Sequence, residues 1–453
     1  MNRKRAASVA LALLLLACLP AQAAAAPTAE YIITNPYAAV DWGSWGAYKA
    51  NLHTHSTLSD GAIPFNEMVE AHYERGYDIL AMTDHGTVDK SWTDLHKFTV
   101  FQFAAQRLLK GEIPADAPLS EERWREISAG ADRGGRGLLR VPYGIEQNAS
   151  SINNAHVNTF FADWGHGMLG GTGDYETPVR GIERAGGMSL INHYGEYAGD
   201  TDRPRDKAYA GLRNYYVYKL QRLLVKYPSL IGLDINGDML SNNERVCWDR
   251  LLTNLAPTGR NVYGTATSDA HHMGVVGIGW IWAMMPSNTV ENFRECLENG
   301  AFIAGSHNLK NAEELADWGE TIGREFGETW HADPDIDEPM ITSITARDGV
   351  IAITAVNAEA VHWISNGRVI AAGESIVLQD CEGLGAYVRA EVWGPGGVLH
   401  TQAFLLEYDG MPAGKPVPWY FVDFGGLFGA YRRAIAHFRA VLKPCQDLQA
   451  MVE

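Results

Sequence analysis

Histidine and carboxylate side chains recur in this chain at spacings suited to holding divalent cations. Asn51-Leu52-His53-Thr54-His55-Ser56 sets two imidazoles at alternate positions, and Asp60 follows in Ser59-Asp60-Gly61. On an extended segment alternate side chains point to the same side, so both rings can reach one ion. A lone pair of alternating histidines often only packs, but here Thr83-Asp84-His85, Gly144-Ile145-Glu146, His156, Asn192-His193 and Ser268-Asp269-Ala270-His271 each abut a further apolar run. Six histidines and three carboxylates thus stand at the boundaries of successive runs, a pattern hard to reconcile with core histidines. Imidazole and carboxylate without thiolate suit Zn, Mn or Fe(II). Two or three such ions close together acidify water and stabilise charge on attacking and leaving oxygens, so no protein nucleophile is needed. No G-x-S-x-G element supports a serine mechanism.

Those side chains need a scaffold that brings strand ends together. Between about Tyr48 and Pro286, short β-branched or apolar runs alternate with helical stretches, the pattern of βα units around a parallel sheet or barrel. After Ala50–Leu52 the predicted strands are Ile79–Met82, Leu139–Ile145, Val157–Phe161, Met188–Ile191, Leu230–Ile235, Val262–Ala266 and Ile278–Met284. Pro64 predicts a helix start, with Phe65, Met68, Val69 and His72 recurring at three and four and Gly76 closing it. The fold class expected is α/β, a barrel over residues 45–306 whose candidate ligands share one rim. Residues 89–137 interrupt the rhythm with a helical stretch, Leu95–Lys110, and a polar arm, and read as an insertion. Further on, alternating short strands predict a β-sandwich over 341–410. Its hairpin signals are Asn366-Gly367 between Trp363-Ile364 and Val369-Ile370, and Pro395-Gly396-Gly397 between Tyr387–Trp393 and Leu399–Leu406. Residues 427–442 predict a terminal amphipathic helix with Phe428, Tyr431, Ile435, Phe438 and Leu442 on one side.

Charge excludes some partners. With 37 Lys+Arg against 54 Asp+Glu over 453 residues, the formal balance of -17 repels phosphate backbones and anionic membranes, so no nucleic-acid platform is expected. Arg3, Lys4 and Arg5, the apolar stretch Ala6–Pro20 and Ala21-Gln22-Ala23 read as a signal peptide over residues 1–23, predicting an exported, periplasmic or extracellular protein. Cys18 is poorly placed for a lipoprotein box, and no segment is long enough to span a bilayer. Cys247, Cys296, Cys381 and Cys445 would remain after export, with disulfides and free thiols both open.

The H-T-H, S-D-G, T-D-H, G-I-E and S-D-A-H elements, in this order, resemble the PHP superfamily, the polymerase and histidinol phosphatase metal-dependent hydrolases. The likeness runs from about Ala50 to Ser306, and with a leader and a trailing β-region the chain is most similar to the carbaryl-hydrolase-like branch. The resemblance implies a distorted seven-stranded β/α barrel and two or three divalent ions. Carried over, it puts His53, His55, Glu146 and Asp269 on one ion, Glu146, His156 and His193 on a second, and Asp60, His85 and His271 on a third. Glu146 would bridge, Asp84 would orient a ligand, and His166 is the alternative to His156. The implied activity is phosphoester hydrolysis by hydroxide held at the ions, on a small phosphorylated substrate. Carbamate, ester or amide hydrolysis at the same ions is the first rival. Around the ions, Tyr194, His272, Asn148 and Asn236 are candidates for substrate contact, and Arg203, Arg205 and Lys207 form a basic group suited to phosphate. A glycan- or partner-binding protein with a vestigial barrel is the second rival, for which Trp363 and Trp393 are the candidate platform.

Overall fold

The computed structural model describes residues 30–98, 115–150, 155–168, 175–194, 214–235, 242–307 and 336–416. The expected signal peptide, Arg203, Arg205, Lys207, Asn236, Cys445 and the helix over 427–442 lie outside the described residues.

The chain is a mixed α/β protein with two principal sheets. Five strands form one: β5 (Ile145–Ser150), β6 (Ala155–Phe160), β7 (Met188–Ile191), β8 (Leu230–Asp234) and β9 (Tyr263–Thr265) lie side by side in that order. β5, β6 and β7 pair antiparallel, whereas β7, β8 and β9 pair parallel. The other sheet has eleven strands. Its first half holds β2 (Gly46–Asn51), β3 (Ile79–Leu80) and β4 (Leu139–Arg140) in parallel, with β10 (Gly279–Met285) and β11 (Phe302–Ser306) added antiparallel beside β2. Two single bridges, Thr54–Ala270 and His85–Glu146, tie the sheets together at the carboxyl ends of β2, β3 and β9 and the start of β5. Among the described residues no closed barrel forms.

The C-terminal strands also depart from a free-standing sandwich. β17 (Tyr387–Gly394), β18 (Gly397–His400) and β19 (Phe404–Glu407) continue the eleven-stranded sheet, because β18 pairs with β11; β1 (Ile32–Thr34) closes that end on β19. β14 (Ala360–Ser365) joins β17 and carries β15 (Arg368–Ala372), while β12 (Met340–Arg347), β13 (Val350–Val356) and β16 (Ser375–Val377) make a separate three-stranded sheet. A side chain links this region to the five-stranded sheet: the Gln402 amide accepts from Gly264 N–H and donates to Gly264 C=O, both at 2.8 Å. One contiguous apolar core runs through both sheets.

Local signals explain most elements. Helix α1 (Phe65–Glu74) follows Pro64 and buries Phe65, Met68, Val69 and His72, and Gly76 sits at φ +80° after its end, where a side chain would be strained. Asn366 and Gly367 take φ +53° and +71°, the turn that suits a two-residue hairpin. The expected strand Leu139–Ile145 is instead broken into β4 and β5, for Pro142 lies between them and Tyr143 is held at φ +61°. Within the expected insertion, residues 95–98 are not helical, but α2 (Glu121–Ala129) is, with the Ser120 hydroxyl accepting from Arg123 N–H and Gly130 at φ +63°. Helix α3 spans Glu176–Ala185, α4 Asn214–Lys226, α5 Asn242–Leu255 and α6 Val290–Asn299. Cys247, Cys296 and Cys381 are free thiols, and no helix of the described residues is long and apolar enough to cross a membrane.

Beneath the strand ends, His72 of α1 is buried and neutral. Its Nδ1–H donates to Met68 C=O at 2.8 Å and Nε2 accepts from the Asn51 amide at 2.9 Å. Burial, aided by Arg75 and Lys49 and opposed by the Met68 bond, pushes its pKa down to about 4. The unfolded chain takes up this proton first on acidification, so stability is fully present above about pH 6.5 and is lost as pH falls toward 4, by about 3 kcal/mol. In metal-free protein, His72→Gln should flatten the pH dependence of urea unfolding across that window. An unchanged slope would remove His72 from the account of acid sensitivity.

Candidate metal centre

The strand ends bring the nine candidate ligands into one cluster, buried at its centre and partly open at Asp60 and His271. β2 delivers His53 and His55, both fully buried, just past its last residue. The turn Ser56–Gly61 then folds Asp60 back. Gly61 permits it, since a β-carbon there would stand 2.7 Å from Ser56 O and 2.8 Å from His55 O. β3 leads to His85. Glu146 and Asn148 share one face of β5, and the register Glu146↔Asn158, Asn148↔His156 places His156 of β6 on that same face. His193 follows β7, and Asp269 and His271 follow β9.

Glu146 occupies the centre. Its Oε1 lies 3.1 Å from His193 Nε2 and 3.2 Å from His156 Nδ1, while Oε2 lies 3.2 Å from His53 Nε2, 3.1 Å from His55 Nε2 and 3.3 Å from His85 Nδ1. Asp269 Oδ1 approaches His53 Nε2 at 3.0 Å and His55 Nε2 at 3.3 Å. On the far side of His55, Asp60 lies 3.3 Å from His271 Nε2 and 3.6 Å from His85 Nε2.

These contacts fit divalent ions. The Nε2 atoms of His53 and His55 face each other at 3.0 Å, with two carboxylate oxygens at similar distances. Donors around a tetrahedral ion with arms of about 2.1 Å stand roughly 3.4 Å apart, close to this spacing. Four triads have ligand atoms within 4.8 Å of one another: His53-His55-Asp269, His53-Glu146-His193, His55-Asp60-His85 and His85-Glu146-His156. His85 therefore faces two of the implied ion sets, and His271 reaches the cluster through Asp60 and by stacking on His55 at 4.3 Å between ring centres.

Electrostatics prepares the same donors. Burial opposes ionisation of Glu146, yet His53, His156 and His85 outweigh it and hold the carboxyl well below its usual range. Asp269 is likewise held low against burial, chiefly by His53 and His55. Burial lowers His53, and pushes His85 down to about 4 against the pull of Asp60 and Glu146, leaving lone pairs for ligation. Burial also disfavours charge on His55, but bonds to Asp269 and Glu146 overcome this and raise it well above the usual value. Protons on such rings stand where cations would otherwise balance the carboxylates, so metal uptake should release them.

Other residues support the cluster. Asp84 accepts from Ser56 N–H at 2.7 Å and from the Ser56 and Ser59 hydroxyls at 2.8 and 2.7 Å, and Ser59 Oγ in turn lies 3.3 Å from His55 Nδ1. Asp84 thus acts on His55 through the turn. Asn192 donates to Glu146 Oε1 at 2.7 Å, a contact that pattern reasoning missed although its neighbour His193 was singled out. His193 and Asp269 have φ of +22° and +44°, backbone that costs energy in residues with side chains.

The structure separates the remaining candidates. His166 packs against His96, the rings tilted and 3.9 Å apart between centres, and belongs to none of the four triads, whereas His156 is brought to Glu146. Tyr194 is fully buried in the core, with Cys247 close by, rather than lining an opening. His272 is exposed and caps its own turn, accepting from Gly274 N–H at 3.2 Å. Trp363 and Trp393 are buried, not an aromatic platform.

Residues 51–150 match the PHP domain family, and this match covers the part of the cluster from His53 to Glu146. Forty residues are 52% identical to the DNA polymerase/3′-5′ exonuclease PolX of Bacillus subtilis (strain 168), covering 9% of this chain and 7% of that protein's length. A two-domain protein containing a predicted PHP-like metal-dependent phosphoesterase, from Bacteroides vulgatus, is 17% identical over 87% of this chain and 97% of its own, with a TM-score of 0.40. The lesion-specific endonuclease EndoQ of Pyrococcus furiosus is 11% identical over 56% of each chain, with a TM-score of 0.32.

Proposed function

We propose that this chain is an exported PHP-type metal-dependent phosphoesterase that hydrolyses a small phosphorylated substrate. The observation that carries the reading is Glu146, whose two oxygens face two different sets of histidines. His53, His55 and Asp269 would complete one set, His156 and His193 a second, and Asp60, His85 and His271 a third, around two or three Zn, Mn or Fe ions. When bound, the ions supply Lewis acidity, an acidified water and charge neutralisation at the reacting group. The chain's own part is to hold the donors at fixed spacing. Asp84 keeps the Ser56–Ser59 turn against His55, Asn192 fixes one Glu146 oxygen, and burial excludes bulk water.

This reading includes a distorted seven-stranded barrel of β2, β3 and β5–β9, supported by the bridges Thr54–Ala270 and His85–Glu146, within residues 45–306. It also keeps the C-terminal β-region over 341–410, the leader over 1–23, and a place near the carbaryl-hydrolase-like branch.

The test is hydrolysis of p-nitrophenyl phosphate, bis-p-nitrophenyl phosphate and 1-naphthyl carbamate with Mn or Zn added, before and after chelation. Phosphoester turnover that chelation abolishes and metal restores supports the proposal; turnover of the carbamate alone overturns it. Arg203 and Arg205 sharpen the choice, because a phosphoryl group brings charge that arginines can meet by charged hydrogen bonds worth about 1.5 to 3 kcal/mol. Replacing both with alanine should lower kcat/KM on phosphoesters roughly ten- to hundredfold and leave the carbamate nearly unaffected. Equal phosphoesterase activity in parent and double variant would show that these arginines do not meet the substrate.

Asp60 tests the outer ion. It is the more open carboxylate, 21% exposed against 1% for Glu146, and it connects His85 and His271. Asp60→Ala should lower the metal-to-protein ratio by about one ion in elemental analysis. An unchanged ratio would leave Asp60 as a turn former.

A further inference from the structure

β8 ends in a carboxylate that the reading above leaves unused. Asp234 is 3% exposed, and its Oδ2 accepts from the Thr267 hydroxyl at 2.5 Å. A buried carboxylate is costly unless its bonds serve the fold or the site. Its Oδ1 lies 3.5 Å from the Thr265 hydroxyl at the end of β9, and its closer partner, Thr267, lies between β9 and Asp269, in a segment fixed from several sides. Ile235 N–H donates to Thr265 C=O at 2.8 Å, Ser268 N–H to the Asn51 amide oxygen at 3.1 Å, and His55 N–H to Ala270 C=O at 2.9 Å. Asn51 and His55 tie the segment to the end of β2, whereas Asp234 is its side-chain tie to the five-stranded sheet. Between these ties Asp269 is held at φ +44°, a conformation that an unrestrained aspartate would leave for a lower-energy one.

We propose that Asp234 is a positioning residue that acts through Thr267 to hold the segment bearing Asp269 and His271 in its ligating conformation. The inference rests on the metal reading for its purpose, though not for its mechanics. Asp234 touches no reacting atom; it restrains the loop, as outer hydrogen bonds restrain metal ligands elsewhere.

Two measurements on the full chain separate the inference from the metal reading. In metal-free protein, Asp234→Ala and Thr267→Val should each speed amide hydrogen exchange at Ser268–His271. Asp234→Asn and Thr267→Ser, which keep an acceptor and a hydroxyl, should exchange like the parent. In Mn or Zn titrations the first two variants should bind about ten- to hundredfold more weakly, with the double variant no worse than either, and the conservative pair should bind near the parent's affinity. Unchanged exchange in Asp234→Ala overturns the inference whatever the metal does. Equal losses in the conservative pair also overturn it, since a general packing role would produce them. A parent that binds neither ion overturns the metal reading, while the exchange data still decide whether Asp234 positions the segment.

Discussion

If the chain acts as proposed, Glu146→Gln is expected to abolish its hydrolase activity while the chain still folds, with kcat/KM falling by about a thousandfold or more, or roughly 4 kcal/mol of transition-state stabilisation. The amide has nearly the same shape but only one good acceptor. One side would turn N–H groups toward His53 and His55 or toward His156 and His193, where an ionised oxygen now stands at 3.1 to 3.2 Å. No orientation serves both sets. Elemental analysis should therefore show loss of more than one ion, and a urea titration should show a cooperative transition. Near-normal turnover with full metal content would refute a bridging role.

Arg389→Met is expected to destabilise the fold by about 3 to 5 kcal/mol. The Arg389 guanidinium is fully buried on β17, bonded through Nε and Nη2 to both oxygens of Asp249 at 2.8 Å and through Nη1 to Glu391 at 2.8 Å. It also lies over the Trp248 ring at 4.6 Å. Asp249 belongs to α5, so the network fastens the helix to the C-terminal strands. Removing the arginine takes the bidentate cation from Asp249, which keeps only the Tyr387 hydroxyl at 2.9 Å, and one cationic donor from Glu391, whereas removing Asp249 as well relieves part of that penalty. Urea unfolding should show Arg389→Met losing more than Arg389→Met/Asp249→Leu. A loss below about 1 kcal/mol in the single variant would mean that water reaches the network.

Much of the site was legible in the sequence, because ligand chemistry is written in residue types and strand ends are written in local hydrophobicity. Met188–Ile191 is found as expected, and Leu230–Ile235 and Val262–Ala266 differ from β8 and β9 only at their ends. The chain direction then brings His193 and Asp269 toward Glu146 without further information. What pattern could not show is pairing between distant segments. β10 reads like one more strand of a parallel set, yet it runs antiparallel to β2, and β18 reads like part of a separate sandwich, yet it pairs with β11. Neither choice changes which residues are apolar, so periodicity is blind to it. The same holds for Asn192 and Asp234, whose roles rest on hydrogen bonds to residues far along the chain. Helix α2 was missed for another reason: its capping serine and terminal glycine were present, but its single buried residue, Ile127, left almost no apolar face.

Gln402 gives the C-terminal region a protective task. A strand that ends a sheet offers unpaired N–H and C=O groups, a template on which another chain can assemble. At Gly264 on β9 both groups are taken by one side-chain amide, which mimics a neighbouring strand yet has no second edge of its own. Pairing therefore stops there instead of propagating. Shortening the protein before Gln402 would uncover this template along with the apolar surface beneath it, and the shortened chain should be prone to self-association through β9.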